Sequence, residues 1–385
     1  MKFEFATASR IVFGPGVVEQ LGTIARPLGR RALLVGGRSH ERVTAVATIL
    51  EAAGIEVVPF VVGGEPSLEL VREGTSAARQ ASVELVVAFG GGSVIDAGKA
   101  IAALVTNDGE PLDYLEVIGR GRALTLPSLP VIAVPTTAGT GAEVTRNAVI
   151  RSPGHGVKAS LRSPTMLPQV ALVDPELSVG VPPTVRATTG LDALAQAIEP
   201  YVSRRANPVS DALCREAIAR SARSLRRAYE DGTDGTARED LALSALLGGM
   251  ALANAGLGAI HGFAAPIGGA FERAPHGAIC GRLLPIVIAA NVAALRQREP
   301  GSPTLGRYAE LAGMLTGDGD ASPEAGIAWI EDLVAALGVP GLSAYGVGES
   351  DLGGLVEAGQ AARSMQANPV LQTAAELRDI LVQAL

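Results

Sequence analysis

Four histidines occur in the 385 residues, and two of them, His261 and His276, stand 15 residues apart in GLGAIHGFAAPIGGAFERAPHGAICGRLLP. His261 is flanked by glycine and small apolar residues. His276 lies in Pro-His-Gly, where a helix over Ala278 to Leu295 is expected to begin, and neither setting is that of a solvated surface. Upstream, Thr188 to Gln196 (TTGLDALAQ) reads as the opening of a helix on which Asp192 and Gln196, four apart, share a face. An aspartate in an apolar first turn can do no more than complement the helix dipole. Joined to two imidazoles, it makes a carboxylate and two-histidine set that suits Zn²⁺ or Fe²⁺ with a position left for substrate. The irregular spacing leaves both readings standing.

A second stretch carries different chemistry. In LVVAFGGGSVIDAGKAIA, Leu85 to Phe89 read as a buried strand, Gly90, Gly91 and Gly92 as a tight turn, and Ser93 as the cap of a helix. Without Cβ atoms the turn admits a phosphate close to the backbone, and the helix N-terminus favours its charge. The pattern is neither G-x-G-x-x-G nor a P-loop, so a pyrophosphate cradle and a plain turn both fit. The same holds for Pro135-Thr-Thr-Ala-Gly-Thr-Gly-Ala-Glu143. Its hydroxyls can bind a phosphate, ribose or carboxamide, or simply form an ST-rich turn.

The elements that must position these groups follow from periodicity. Strands are expected at Arg10 to Phe13, Ala32 to Val35, Val57 to Val62, Leu85 to Phe89, Val131 to Val134 and Val170 to Val173. Helices are expected over Val17 to Ala25, Glu41 to Ala53 and Ser67 to Ala81. The alternation implies βαβ units, a mostly parallel sheet with helices on both faces, and glycine loops at Gly14, Gly36 and Gly90 that share the ligand-binding edge. Val144 to Ile150 and Val157 to Leu161 read as a hairpin across Ser152-Pro153-Gly154, which places Lys158 near the same loop. Beyond Asp174-Pro175 the chain is helical throughout. The expected domains are therefore an α/β, Rossmann-like unit over 1–180 and an all-helical unit over 181–385.

Composition narrows the function classes. With 48% hydrophobic and 18% charged residues, disorder is excluded as the general state. A net charge of −7 without an extended run of Lys or Arg argues against nucleic acid. The two cysteines, Cys214 and Cys280, fall in helical segments and read as buried, inert thiols of a reducing compartment. The N-terminus lacks the apolar core of a signal peptide, and no apolar run approaches roughly 18 residues, so a cytoplasmic protein without a membrane partner is expected.

The run from Gly90 to Lys99, PTTAGTGAEVT from Pro135, LVDPEL from Leu172, TGLDAL from Thr189, and GAIHGF with APHG around the two histidines occur in that order. Together they resemble the iron-containing (group III) alcohol dehydrogenase family over essentially the whole chain. The resemblance implies an N-terminal Rossmann-like domain for NAD or NADP, a helical C-terminal domain for a divalent metal, and an active site in the cleft between them. It places Gly91, Gly92, Ser93 and Asp96 along the pyrophosphate, Thr136, Thr137 and Thr140 on the dinucleotide and Lys158 near its ribose. Asp192, His261 and His276 match three metal ligands and thereby the catalytic set.

This sequence departs from the family's pattern twice. The fourth ligand, a histidine four residues after the aspartate, is Gln196 here, and a further active-site histidine four residues after the first is Ala265. Relatives of the same fold, glycerol dehydrogenases and dehydroquinate synthases, hold zinc with one carboxylate and two histidines, so three ligands can suffice; zinc, weak binding and no metal are all compatible. Where NAD-preferring relatives often carry an aspartate after the second strand, this chain has Gly37-Arg38, which admits and attracts a 2′-phosphate and leans towards NADP.

The expected activity is hydride transfer between nicotinamide and an aldehyde or ketone, with metal assistance, a small carbonyl or alcohol substrate and a homodimeric assembly. With Ala265 unable to relay a proton, water or the cofactor ribose takes that task. The alternatives are a maleylacetate reductase working without the usual metal set, a dehydroquinate-synthase-like lyase, and a non-catalytic nucleotide-binding relative. The lyase is disfavoured because the helical half contains no lysine.

Overall fold

A computed structural model describes residues 2–385. Among the described residues, eight strands lie in the first half of the chain: β1 (Arg10–Phe13), β2 (Arg31–Gly36), β3 (Glu56–Val61), β4 (Leu85–Gly90), β5 (Val131–Pro135), β6 (Asn147–Ser152), β7 (Val157–Arg162) and β8 (Val170–Val173). Helices α1 (Leu21–Ala25), α2 (His40–Ala52), α3 (Leu68–Gln80), α4 (Gly92–Thr106) and the single turn α5 (Pro111–Tyr114) connect them. Six strands form one sheet in the order β1-β8-β5-β4-β2-β3, and every pairing in it is parallel.

The strands are apolar at nearly every position because both faces of the sheet are covered. Leu33, Val35 and Val86 pack on α3 and α4 through Val71, Ala97 and Ile101. Leu34, Leu85, Val87 and Ile132 pack on α1 and α2 through Leu21, Ile24, Val46 and Leu50. With all six strands running one way, the glycine loops after β1, β2 and β4 lie on one sheet edge, as expected. β6 and β7 form a separate antiparallel hairpin.

Several boundaries differ from the sequence reading, each for a local reason. Val17–Gln20 is a 3₁₀ turn that precedes α1. The hairpin's first strand starts at Asn147, three residues late, because Ala142–Val144 coil into a 3₁₀ turn after Gly141 in the left-handed region. Ser93 is not the cap of α4: Gly91 occupies that place and makes no side-chain cap bond, so the first amides of α4 receive no capping side chain. In the second half, α6 (Pro183–Val202) begins five residues before Thr188. Pro182 stands at the N-cap and Pro183 in the first turn, where a proline's fixed backbone angle and missing N–H suit a helix start. Asp192 therefore sits mid-helix, where the dipole explanation does not apply.

The helical unit continues with α7 (Pro208–Glu230), α8 (Gly235–Ala255), α9 (Ala259–Ala270), α10 (His276–Arg298), α11 (Pro303–Thr316), α12 (Pro323–Ala336), α13 (Leu352–Ala361) and α14 (Ala374–Ala384). Its core joins Leu191, Leu194 and Ile198 of α6 to Phe263 of α9 and Ile279, Leu283 and Val287 of α10. α10 is long and apolar enough to cross a membrane, but most of its surface is buried inside this unit. Two compact units result. One comprises Thr7–Thr137 with Gly141–Val179; the other comprises Gly180–Leu385 with residues 2–6 and Ala138–Thr140.

Inside the α/β unit, α4 carries a fully buried lysine. Lys99 Nζ donates to the Ala142 carbonyl at 2.9 Å, to Thr145 Oγ1 at 3.0 Å and to the Asn147 carbonyl, and it pairs with Asp96 Oδ1 at 3.0 Å. Asp96 Oδ2 in turn accepts from the Val149 amide at 3.0 Å. One ammonium thus ties the segment after β5, and the start of β6, to the helix that follows the glycine turn. Beside it the Glu143 carboxyl is buried, and burial pushes it up to about 7 against the opposing pull of a backbone hydrogen bond and of Lys99.

A carboxyl raised in the folded state favours folding fully below its unfolded value of 4.5. That contribution, ~3 kcal/mol for a shift of this size, is lost as pH climbs through 7. Glu143→Gln should therefore flatten the fall in thermal midpoint between pH 5 and pH 8; equal slopes in variant and wild type would show that Glu143 titrates normally.

Candidate metal centre

Three helices of the helical unit deliver the candidate donors. α6 contributes Asp192, Gln196 and Glu199, at i, i+4 and i+7 on one face. α10 contributes His276 and Cys280, one turn apart, and α9 contributes His261. The approach of α10 to α6 depends on two glycines beside the donors. A Cβ at Gly277 would collide with the Thr188 carbonyl, and one at Gly281 would stand 2.6 Å from Leu191 Cδ1. Side chains there would push His276 and Cys280 away from Asp192.

The result is a cluster of four groups, Asp192, His261, His276 and Cys280, each offering one donor atom, all within 4.8 Å of one another. His261 Nε2 lies 3.2 Å and His276 Nε2 3.7 Å from Asp192 Oδ1, and Cys280 Sγ lies 3.8 Å from His261 Nε2. The two rings are 5.5 Å apart between centroids. Asp192 is only 2% exposed and Gln196 3%. The three residues expected as ligands thus come together, and Cys280, expected to be an inert core thiol, belongs with them. Cys214 does behave that way: it is buried in α7, and burial pushes its thiol well above the ordinary range.

Glu199 was not anticipated. Its Oε2 accepts from His261 Nδ1 at 2.6 Å while Oε1 accepts from the Ile260 amide at 2.7 Å, so it fixes the ring and satisfies an amide at the start of α9. The neighbouring amide, Ala259, is taken by Asn368 Oδ1 at 3.1 Å. With Nδ1 donating to Glu199, Nε2 of a neutral ring would turn its lone pair on the Asp192 carboxylate. A positive charge, either a proton or a metal cation, must stand between them.

The titration behaviour follows. Burial alone would raise Asp192, but His276, His261 and a hydrogen bond from Gln196 bring its carboxyl down to about 2. Burial disfavours a charged ring at both histidines. Cys280, Glu199 and Asp192 nonetheless hold His261 well above the usual value, and Cys280 and Asp192 raise His276. Gln196 spends its amide on Asp192, and its buried Oε1 has no partner. A buried orphan oxygen one turn from a carboxylate, two imidazoles and a thiol is a donor set that fits a divalent cation. Ala265, one turn after His261, offers no group for proton transfer.

In the α/β unit the glycine turn is tightly framed. The Thr136 amide donates to the Gly90 carbonyl at 3.0 Å, and Thr137 Oγ1 stands 3.3 Å from where a Cβ on Gly91 would lie. Gly91, Gly92 and Ser93 are half-buried. Asp96 is spent on Lys99 and the Val149 amide. Lys158 is paired with Glu65 Oε1 at 2.6 Å. Arg38 is exposed after Gly37, its guanidinium lying over Gly63. Thr140 is exposed, in the short Ala138–Thr140 segment that groups with the helical unit.

Comparison with known proteins agrees in both halves. Residues 8–175 match the family described as iron-containing alcohol dehydrogenase, and residues 186–385 match its C-terminal family, described as Fe-containing alcohol dehydrogenase. The chain belongs to the iron-containing alcohol dehydrogenase family. It is 35% identical to the 1,3-propanediol dehydrogenase of Citrobacter freundii over 99% of this chain and 98% of that one. Among solved structures of similar proteins, that of a 1,3-propanediol oxidoreductase superposes with a TM-score of 0.92 at 35% identity, covering all of both chains. The sulfoacetaldehyde reductase of Bifidobacterium kashiwanohense, in complex with NAD⁺, gives 0.88 at 28% identity, covering 100% of this chain and 99% of that one. The group III resemblance read from the motifs holds, as does the parallel-sheet α/β unit followed by helices.

As the support behind His261, Glu199 should control cation binding in this iron-containing alcohol dehydrogenase. A glutamine at 199 can accept from the Ile260 amide or from His261, but not from both. Glu199→Gln should weaken Zn²⁺ binding by about 10–100-fold at unchanged helical content. Undiminished affinity in competition with a chelator would remove Glu199 from this role.

Proposed function

We propose that this chain is an NAD-dependent alcohol dehydrogenase that interconverts a small alcohol and its aldehyde or ketone. The observation that carries the reading is the convergence of Asp192, His261 and His276 in a family whose members are alcohol dehydrogenases. Those three side chains hold the cation. When bound, it supplies Lewis acidity to the oxygen of the substrate. Gly91, Gly92, Ser93, Thr136 and Thr137 offer a backbone turn with hydroxyls close by that would hold the dinucleotide, whose nicotinamide would supply the hydride chemistry. Asp96 and Lys99 tie the segment after β5 and the start of β6 to the helix that follows this turn.

Glu199 fixes the His261 ring so that Nε2, not Nδ1, faces Asp192. Alanine at 265 leaves the proton of the alcohol to water or the cofactor ribose. The lean towards NADP that Arg38 gives finds no support in the relatives compared, since the sulfoacetaldehyde reductase is in complex with NAD⁺. We also read the chain as a cytoplasmic homodimer, on the two unpaired buried thiols and on β1, a four-residue strand with an open sheet edge.

The test is a carbonyl panel, with maleylacetate included, assayed with NADH and NADPH beside metal analysis. Simple aldehydes should turn over faster with NADH, in a protein that holds one divalent cation per chain. Asp192→Asn should lose that cation and lower kcat on the order of 10²–10³-fold. Full activity and full metal content in this variant would rule out the metal-assisted reading, and turnover of maleylacetate alone would transfer the protein to the metal-independent branch.

A further inference from the structure

The donor set at the metal centre contains one group more than the proposed function requires. Asp192, His261 and His276 account for three positions, and the fourth position in sequence terms is Gln196. Its amide N–H serves Asp192 and its Oε1 has no partner, but an amide oxygen is a weaker ligand for a borderline-soft cation than a thiolate. From the opposite helix, Cys280 Sγ reaches the same volume, 3.8 Å from His261 Nε2 and within 4.8 Å of every other donor atom.

Metal–ligand bonds of about 2.0–2.3 Å arranged tetrahedrally place neighbouring donors roughly 3.3–3.6 Å apart. The separations here are 3.2 Å for His261 and Asp192, 3.7 Å for His276 and Asp192, and 3.8 Å for Cys280 and His261. These three separations are close to that spacing, and no pair among the four donors exceeds 4.8 Å. Cys280 is fully buried, and its helix is held against α6 by Gly277 and Gly281.

We propose that Cys280 is the fourth protein ligand of the cation, in place of Gln196, and that the resulting aspartate, two-histidine and thiolate set selects Zn²⁺ over Fe²⁺. The inference rests on the proposed reading that this site holds a cation. Ligation breaks the S–H bond heterolytically: the proton leaves to solvent, the sulfur lone pair forms the bond to the metal, and nothing is oxidised or reduced. A thiolate adds a negative charge to that of Asp192 and a softer donor than an imidazole, which favours zinc over iron.

Cobalt reports sulfur ligation directly. The full-length apoprotein is titrated with Co²⁺, and the near-ultraviolet spectrum is read for a thiolate-to-cobalt charge-transfer band. The band should appear in wild type and in Cys214→Ala. It should be absent from Cys280→Ser and Cys280→Ala, whose Zn²⁺ affinity should fall at least about tenfold. Supplied with equal Zn²⁺ and Fe²⁺, wild type should retain zinc. Because the wild-type spectrum is itself decisive, a variant that folds poorly does not obscure the answer. Stoichiometric Co²⁺ binding without the band, or a band that survives at Cys280→Ala, would overturn sulfur ligation while leaving the metal site in place. Retention of iron over zinc would overturn the selectivity. No stoichiometric cation binding at all would overturn both this inference and the metal-assisted reading.

Discussion

A carboxylate held in the interior of a helical unit has to be balanced by positive charge, and the site is organised by that requirement. Asp192 is 2% exposed in the middle of α6. Left alone there, its charge would cost several kcal/mol. Two imidazoles from different helices turn toward it, and Glu199, itself buried two turns along, orients the closer ring from behind. Each of these groups is expensive to bury singly, and each makes the next one tolerable. The packing of α9 and α10 onto α6 is what brings them together.

The α/β unit meets the same constraint and closes it internally. Lys99 is as buried as any residue in the chain, yet its ammonium finds Asp96, a hydroxyl and three carbonyls, all from its own unit. That network is complete, and a complete buried network does structural work: it shapes the loop that follows β5. The cluster on α6, α9 and α10 is incomplete by comparison. Gln196 keeps an oxygen without a partner, and two rings lean on one carboxylate. The difference between the two clusters distinguishes a brace from a binding site.

Much of this was legible in the sequence. The alternation of apolar runs with helical spacing gives the parallel sheet, because buried parallel strands must be apolar at nearly every position, and Asp192, His261 and His276 stand out because ionisable groups are rare in such apolar segments. What escaped was tertiary. Pro183 opens α6 five residues before the hydroxyl pair that read as its start, and this hid the interior position of Asp192. Glu199 lies seven residues after Asp192 and Cys280 four after His276, spacings that put each on the donor face; the signal was present, but a lone glutamate or cysteine on a helix has many ordinary explanations. Lys99 gave no warning of its burial, since all its partners but Asp96 lie some 45 residues away.

The two glycines that seat α10 on α6 alternate along the helix with the two residues that face Asp192. The spacing of the helix axes is thus written in one set of positions and the identity of the donors in another. Nothing in the frame demands an imidazole, an amide or a sulfur at any given corner, so the chemical character of the centre can drift by single exchanges while the architecture around it stays the same.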